Sequence, residues 1–274
     1  TVFRAGDGLV LGLLIGASSL LYSSGMVLND VFDIRIDARQ RPGRPLPSRR
    51  IPLARARYLG FELLTAGLIL AWVASSVTGD LRSGITATAL AGCIVLYDGR
   101  LKRTPLGPAA MGGCRMLNVL LGMSAAAGPW QAQHGLAALA IGTYVAGITW
   151  FARNEAVKSS RLQLALATGL MLWGIGLLIP LPGMSDNVVT ILRDEPIRWP
   201  ILIVLIAALV GRRCVRAAFD PTPGNVQAAV RHCIFSLVVL DAAVVFVFGG
   251  WPPAAIILLL LVPTMFLGKW VYST

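Results

Sequence analysis

Charge is what this sequence has least of. Only 14% of its 274 residues are charged, where a water-soluble domain carries about 25%. With 56% hydrophobic residues and a mean hydropathy of +0.72, that deficit excludes an ordinary soluble globule and excludes disorder. Acid is scarcer than base: 13 Asp and Glu stand against 24 Lys and Arg, a net charge of +11. On so apolar a chain the basic excess belongs to a membrane, and no nucleic-acid partner is expected. Cysteine is limited to Cys93, Cys114, Cys214 and Cys233, in or beside apolar stretches and with no CxxC pair. They are expected to be small buried hydrophobes. The two histidines, His134 and His232, are far apart and form no HExxH pattern, which gives no histidine metal site. The glycines lack the spacing of a nucleotide-binding loop. No secretory signal pattern opens the chain, and Thr1 rather than Met begins it, which reads as a processed or trimmed N-terminus.

What the sequence does have is apolar runs. They fall at roughly 9–30, 57–78, 83–97, 108–127, 134–152, 162–180, 199–212, 232–249 and 254–272. A bilayer-crossing helix needs about 20 residues, so nine of them take about 180 and leave no room for a separate soluble domain. The runs at 83–97 and 199–212 are short and are expected to extend into their flanks or to span thinly. Residues 1–274 therefore read as one all-α, polytopic membrane domain of about nine transmembrane helices. Every second loop is basic. Arg35, Arg39, Arg41, Arg44, Arg49, Arg50, Arg55 and Arg57 follow the first run; Arg100, Lys102 and Arg103 follow the third; Arg153, Lys158 and Arg161 follow the fifth; Arg212, Arg213, Arg216 and Arg231 follow the seventh. These are 18 of the 24 basic residues, and the intervening loops hold only Arg82, Arg193 and Arg198. The positive-inside rule puts the basic loops in the cytoplasm, with the N-terminus of this chain outside and its C-terminus inside. Trp130, Trp150, Trp199, Trp251 and Trp270 near the run ends are expected to be interfacial anchors, and Asp241, inside an apolar run, to face a cavity or a partner.

The carboxylates are concentrated where the first run ends, in Asn29-Asp30-Val31-Phe32-Asp33-Ile34-Arg35-Ile36-Asp37. If the helix continues through them, steps of three and four residues put Asn29, Asp30, Asp33 and Asp37 on one stripe, which rises about 10 Å from Asp30 to Asp37. Like charges on one face repel, and a hard divalent cation with oxygen ligands is the natural counter-charge. Mg²⁺ favours one or two carboxylates together with substrate phosphates. The next residues, Arg41-Pro42-Gly43-Arg44-Pro45-Leu46-Pro47, form a proline-stiffened loop whose arginines suit phosphate oxygens.

Asn29 to Asp37, followed by Arg41 and Arg44-Pro45-Leu46-Pro47-Ser48, resembles the first signature of the UbiA superfamily of intramembrane prenyltransferases, NDxxDxxxD followed by a basic stretch and RPLxxG. Arg49 stands where that pattern usually has Gly. Tyr97-Asp98-Gly99-Arg100-Leu101-Lys102-Arg103 resembles the family's Tyr…Leu-Lys-Arg loop. The second aspartate motif is degenerate: Arg153-Asn154-Glu155-Ala156-Val157-Lys158-Ser159-Ser160 carries only Glu155 as an acid, with Lys158 where a metal would be held. In the family the first motif follows the second membrane helix, so the resemblance implies that this chain lacks the first helix. Nine spans would then be one more than a nine-helix member would leave.

The resemblance implies a helical bundle with cytosolic loops capping a central cavity, and Mg²⁺-dependent transfer of an isoprenyl group from a prenyl diphosphate to an aromatic or other lipophilic acceptor, with an aromatic or quinone-precursor acceptor as the default and chlorophyll-like, haem and glycerophosphate lipids within the family's range. Asp30, Asp33, Asp37 and Glu155 are then the expected metal ligands and, with Lys102, the catalytic set. Asn29, Arg41, Arg44, Lys102, Arg103, Arg115, Asn118, Asn154 and Lys158 are the expected diphosphate contacts, Lys102 and Arg103 approaching from the side opposite the metal. The partners implied are the isoprenyl diphosphate, the acceptor and membrane lipid, and the sequence leaves the oligomeric state open. The altered second motif keeps two other readings: prenyl-lipid binding or transport without chemistry, and phosphosugar transfer to a polyprenyl phosphate.

Overall fold

A computed structural model describes residues 5–126, 128–153, 159–185, 188–263 and 265. Among these residues the chain is all-helical, with ten α-helices and no strand. It divides into two compact units, residues 1–129 and 130–274. The first contains α1 (Ala5–Gln40), α2 (Leu53–Thr78), α3 (Arg82–Gly99) and α4 (Gly107–Met123). The second contains α5 (Ala132–Ala152), α6 (Arg161–Gly176), the five-residue α7 (Thr190–Asp194), α8 (Arg198–Phe219), α9 (Pro223–Gly249) and α10 (Trp251–Leu259). Each apolar run overlaps one helix, the end of the last run with Trp270 lying outside the described residues, and α7 is the element that no run announced. The run at 199–212 does extend into its flank, through Arg212, Arg213 and Arg216 to Phe219. By length and apolar composition α1, α2, α5 and α9 are each able to cross a membrane.

The first unit is organised by α1. Its 36 residues extend about 54 Å, against a hydrocarbon core of about 30 Å. The helix therefore outruns the apolar layer, and its surplus is the polar end from Asn29 to Gln40. Small residues let α2 lie directly against it, as is common for helices in membranes. A Cβ on Gly67 would come within 2.9 Å of Leu21 Cγ and 3.1 Å of the Ala17 carbonyl oxygen, and one on Gly60 within 2.7 Å of Leu28 Cδ2. Ser24 Oγ donates to the Gly60 carbonyl at 2.8 Å. Around this seam Leu14, Leu21, Ala71, Leu90, Ile94 and Leu121 form a buried core from all four helices. Ser75 Oγ accepts from the Gly84 N–H, and the Ser83 and Ser124 hydroxyls pair at 2.8 Å, so α3 is tied to both neighbours.

In the second unit α5 and α6 meet through Gly147 and Gly174, where a Cβ would stand 2.5 Å from Met171 Cγ and 2.7 Å from the Tyr144 nitrogen respectively. Tyr144 Oη donates to the Cys233 carbonyl and joins α5 to α9. Trp199 is fully buried and donates from Nε1 to the Leu178 carbonyl at 2.8 Å. Its place near a run end suggests an interfacial anchor, but its indole N–H finds an internal acceptor and the ring packs inside. His134 has a local role: its Nδ1 accepts the Gln131 N–H at the start of α5. The cysteines are free thiols, brought together across helices as Cys93 with Cys114 and Cys214 with Cys233 at 3.3 and 3.4 Å between sulfurs.

The α1–α2 seam leaves no volume for a branched side chain. Gly67→Val is expected to destabilise the protein by roughly 1–3 kcal/mol, the usual range for overpacking, read as a lowered thermal midpoint of the detergent-purified protein. An unchanged midpoint would show that the two helices are not held at this distance.

Candidate functional site

The helix does run on through the acidic stretch, so Asn29, Asp30, Asp33 and Asp37 share one stripe of α1. Two loops then return to that stripe with cations. After α1 the chain reverses through a run of turns: the Arg41 N–H bonds the Asp37 carbonyl at 2.8 Å, and the Ser48 N–H bonds the Arg44 carbonyl at 3.0 Å. Leu46 is buried with Val31 and Ala56 and pins the loop to the α1–α2 seam. With Leu46 anchored, Arg44 Nη1 reaches both Asp37 Oδ2 at 2.9 Å and Asp30 Oδ1 at 3.3 Å. Asp30 and Asp37 lie two turns apart, and one guanidinium spans them.

The second loop leaves α3 as a short 3₁₀ turn, Leu101–Arg103. Lys102 Nζ donates to Asn29 Oδ1 and Asp33 Oδ2, both at 2.8 Å. Arg103 Nη2 donates to the other Asp33 oxygen at 2.9 Å and to the Phe32 carbonyl at 3.1 Å. Asp33 is thus gripped on both oxygens. Lys102 also faces Asp98 Oδ1 at 3.8 Å, and Asp98 is only 3% exposed. Gly107, first residue of α4, holds the turn in place: a Cβ there would meet the Lys102 carbonyl oxygen at 2.9 Å and Lys102 Cα at 3.1 Å.

A cleft of about 220 Å³ opens beside Asp30, Asp37 and Arg44. Its other walls include Val27, Leu46, Pro47, Ile51, Ala56 and Leu59, with Arg55 also lining it. The site therefore sets ionic groups directly against apolar surface, an arrangement suited to an amphiphile with an anionic head.

The structure brings together Asn29, Asp30, Asp33, Asp37, Arg44, Lys102 and Arg103. Lys102 and Arg103 sit on Asp33 itself rather than across from the acidic stripe. Arg41 contributes its backbone, and its side chain is exposed. Asn118 is engaged elsewhere: its Oδ1 accepts from Ser18 Oγ at 2.7 Å. Ser18 is 11 residues before Asn29, or about 16 Å down α1. Arg115 lies one turn from Asn118 on α4, half-buried. Asn154, Glu155 and Lys158 lie outside the described residues. Among the described residues no three carboxylate, histidine or cysteine side chains converge as a preformed metal cage. The stripe does offer only hard oxygen donors, the chemistry that Mg²⁺ selects. Asp98 is the residue that sequence reasoning passed over. The signal was its i,i+4 spacing to Lys102 at the end of an apolar run.

A profile of the UbiA prenyltransferase family matches residues 3–218. The chain belongs to that family. A digeranylgeranylglyceryl phosphate synthase of Methanosarcina barkeri is 35% identical over 94 residues, 34% of this chain and 31% of its own length. The chain thus matches under a third of that relative. A synthase of the same description from Methanopyrus kandleri is 26% identical over 218 residues, 75% of this chain and 74% of its own length. The solved structure described under "Structural and mechanistic insights into the biosynthesis of Digeranylgeranylglyceryl phosphate synthase in membranes" superposes with a TM-score of 0.62 at 22% identity, covering 89% of this chain and 86% of that one. Membership and the apolar helices make this an integral membrane protein.

The family signature and the backbone together explain Arg49. It has φ = +60°, the only non-glycine residue with positive φ among the described residues, at the position where the RPLxxG pattern has Gly. A left-handed conformation costs an L-residue roughly 1–2 kcal/mol, whereas Gly adopts it freely but loses about 0.5–1 kcal/mol of chain entropy on folding. Arg49→Gly is therefore expected to stabilise the protein by roughly 0.5–1 kcal/mol, seen as a raised midpoint in detergent. A lowered midpoint would mean that the arginine side chain contributes more than the strain removes.

Proposed function

We propose that this protein transfers an isoprenyl group from a prenyl diphosphate to a lipophilic acceptor in the membrane, with Asp30, Asp33 and Asp37 as the metal-binding and catalytic carboxylates. The observation that carries the proposal is the interlocked cluster of oxygen donors and cations at the polar end of α1, opening onto an apolar cleft. Asp30, Asp33, Asp37 and Asn29 would hold Mg²⁺. When bound, that ion supplies Lewis-acid charge to the diphosphate oxygens of the leaving group. Lys102, Arg103 and Arg44 then turn from the carboxylates toward the diphosphate, where their N–H groups stabilise the negative charge that grows as the allylic C–O bond breaks. The apolar cleft walls exclude water from the developing allylic cation, leaving it to an electron-rich acceptor.

Relatives named for digeranylgeranylglyceryl phosphate support a glyceryl phosphate lipid as the acceptor. Arg55, lining the cleft with no carboxylate partner among the described residues, is suited to an acceptor phosphate. We read residues 1–274 as a single membrane domain of this family, with the basic loops, and so the site, at the cytoplasmic face; the density of arginine after α1 supports that orientation.

Asp33→Ala, and separately Asp30→Ala, are expected to abolish Mg²⁺-dependent prenyl transfer. The assay uses detergent-purified protein, a labelled prenyl diphosphate and a prenylglyceryl phosphate acceptor, and follows pyrophosphate release and lipid product together. Undiminished turnover in either variant would overturn the assignment. Phosphosugar transfer, seen when an activated phosphosugar donor and a polyprenyl phosphate are supplied in place of these substrates, would replace it.

A further inference from the structure

Lys102 is held in more directions than a simple diphosphate contact requires. Its ammonium donates to Asn29 and Asp33 at 2.8 Å, and on its remaining side stands Asp98 at 3.8 Å. Asp98 is on α3, four residues before Lys102 and one helical turn below it. Its side chain is only 4% exposed and that of Lys102 only 10%. A carboxylate so buried is expensive unless paired, and Lys102 is the one cation paired with it among the described residues. Asp98 also lies off the acidic stripe, on a different helix, so it has no place among the proposed metal ligands. Neither packing nor the metal site accounts for an acid here.

We infer that Asp98 is a positioning residue, the counter-ion that holds Lys102 in the site when the lysine gives up Asp33. The inference rests on the donor-site reading above. In the ligand-free arrangement Lys102 shares itself between Asn29, Asp33 and Asp98. Once the Asp33 oxygens serve a divalent ion, Asp98 is the carboxylate that remains beside the ammonium. Without it, Lys102 would have to leave Asp33 for a buried position with no fixed negative neighbour, and the exchange would be disfavoured. The start of α4 at Gly107 lies close against the Lys102 backbone, so the ammonium moves by side-chain rotation and the compensating charge has to stand within its reach.

The sign of the effect separates this role from general electrostatics. Removing a negative charge near an anionic ligand ordinarily tightens binding. If Asp98 positions Lys102, removing it weakens binding instead. The experiment measures Mg²⁺-dependent affinity for a non-hydrolysable geranylgeranyl thiodiphosphate, and Mn²⁺ binding by electron paramagnetic resonance, on the full chain in detergent. Native protein, Asp98→Asn, Lys102→Ala, the double variant and Asp33→Ala are compared. Asp98→Asn is expected to weaken thiodiphosphate binding and raise the Mg²⁺ requirement by roughly tenfold, a size typical of coupled neighbours. In the Lys102→Ala background the same change is expected to be neutral or to tighten binding, and Asp98→Glu to recover most of the native affinity. Equal affinity in Asp98→Asn and native protein, or an equal loss with and without Lys102, would overturn the inference while leaving the donor site intact, provided Asp33→Ala still abolishes binding. If Asp98→Asn does not fold, Asp98→Ala decides by the same criterion: a weakening that persists without Lys102, or no weakening, overturns the positioning role. A native protein showing no Mg²⁺-dependent binding would overturn the donor-site reading, and this inference with it.

Discussion

Three carboxylates on one stripe of one helix repel each other, and the rest of the first unit is arranged to offset that repulsion. Neighbours one turn apart stand about 6 Å from each other. At the dielectric typical of a protein surface, each such pair is unfavourable by roughly 3 kcal/mol. The helix is too long for the membrane's apolar layer, so the stripe emerges where cations can reach it. Arg44 spans Asp30 and Asp37, while Lys102 and Arg103 take the two oxygens of Asp33. No cation comes from α1 itself. Arg35 and Arg39 are on the same helix, but their positions do not fall on the three-and-four spacing of the stripe.

Delivering cations from two loops requires that the loops be fixed relative to α1, and small residues do this. Gly60 and Gly67 bring α2 against α1. Leu46 uses that seam as its socket, and its burial places Arg44 two residues away. On the other side Gly107 lets α4 start against the backbone of Lys102. The apolar packing and the ionic cluster are one construction, because moving either seam by a side-chain width would separate an arginine or lysine from its carboxylate.

Much of this was legible in the sequence. Apolar runs marked nine helices, because burial in lipid demands continuous apolar length. The three-and-four spacing marked the acidic stripe, because a helix has 3.6 residues per turn. What stayed hidden depends on distance between segments. Asp98 reads as an acid at a helix end until the fold shows Lys102 beside it. Trp199 reads as an interfacial ring until Leu178 supplies an acceptor for its N–H. That Ser18 of α1 holds the Asn118 oxygen is likewise a contact between distant segments. Arg49 could be seen to replace a glycine, but the left-handed backbone that explains the glycine is a property of the turn. The short helix α7 carries no periodic signal in its five residues.

The charge balance of the cluster constrains how it accepts a ligand. Among the described residues, four carboxylates, Asp30, Asp33, Asp37 and Asp98, face three cations, Arg44, Lys102 and Arg103. The cluster is close to neutral as it stands, and each charge already has a partner. A divalent cation arriving alone would displace Arg44, Lys102 or Arg103 from its carboxylate, and would leave the nearly buried Lys102 with Asp98 at 3.8 Å as its remaining anion. A diphosphate arriving alone would draw the cations away and leave the carboxylates to repel each other. Either course is costly, because breaking a partly buried pair on one side exposes the other to an unsolvated charge. Metal and diphosphate together supply both signs, so every pair that is broken is replaced. Under the proposed function, self-pairing in the ligand-free state would make the site respond to the balanced combination rather than to either component, with no preformed metal cage needed among the described residues.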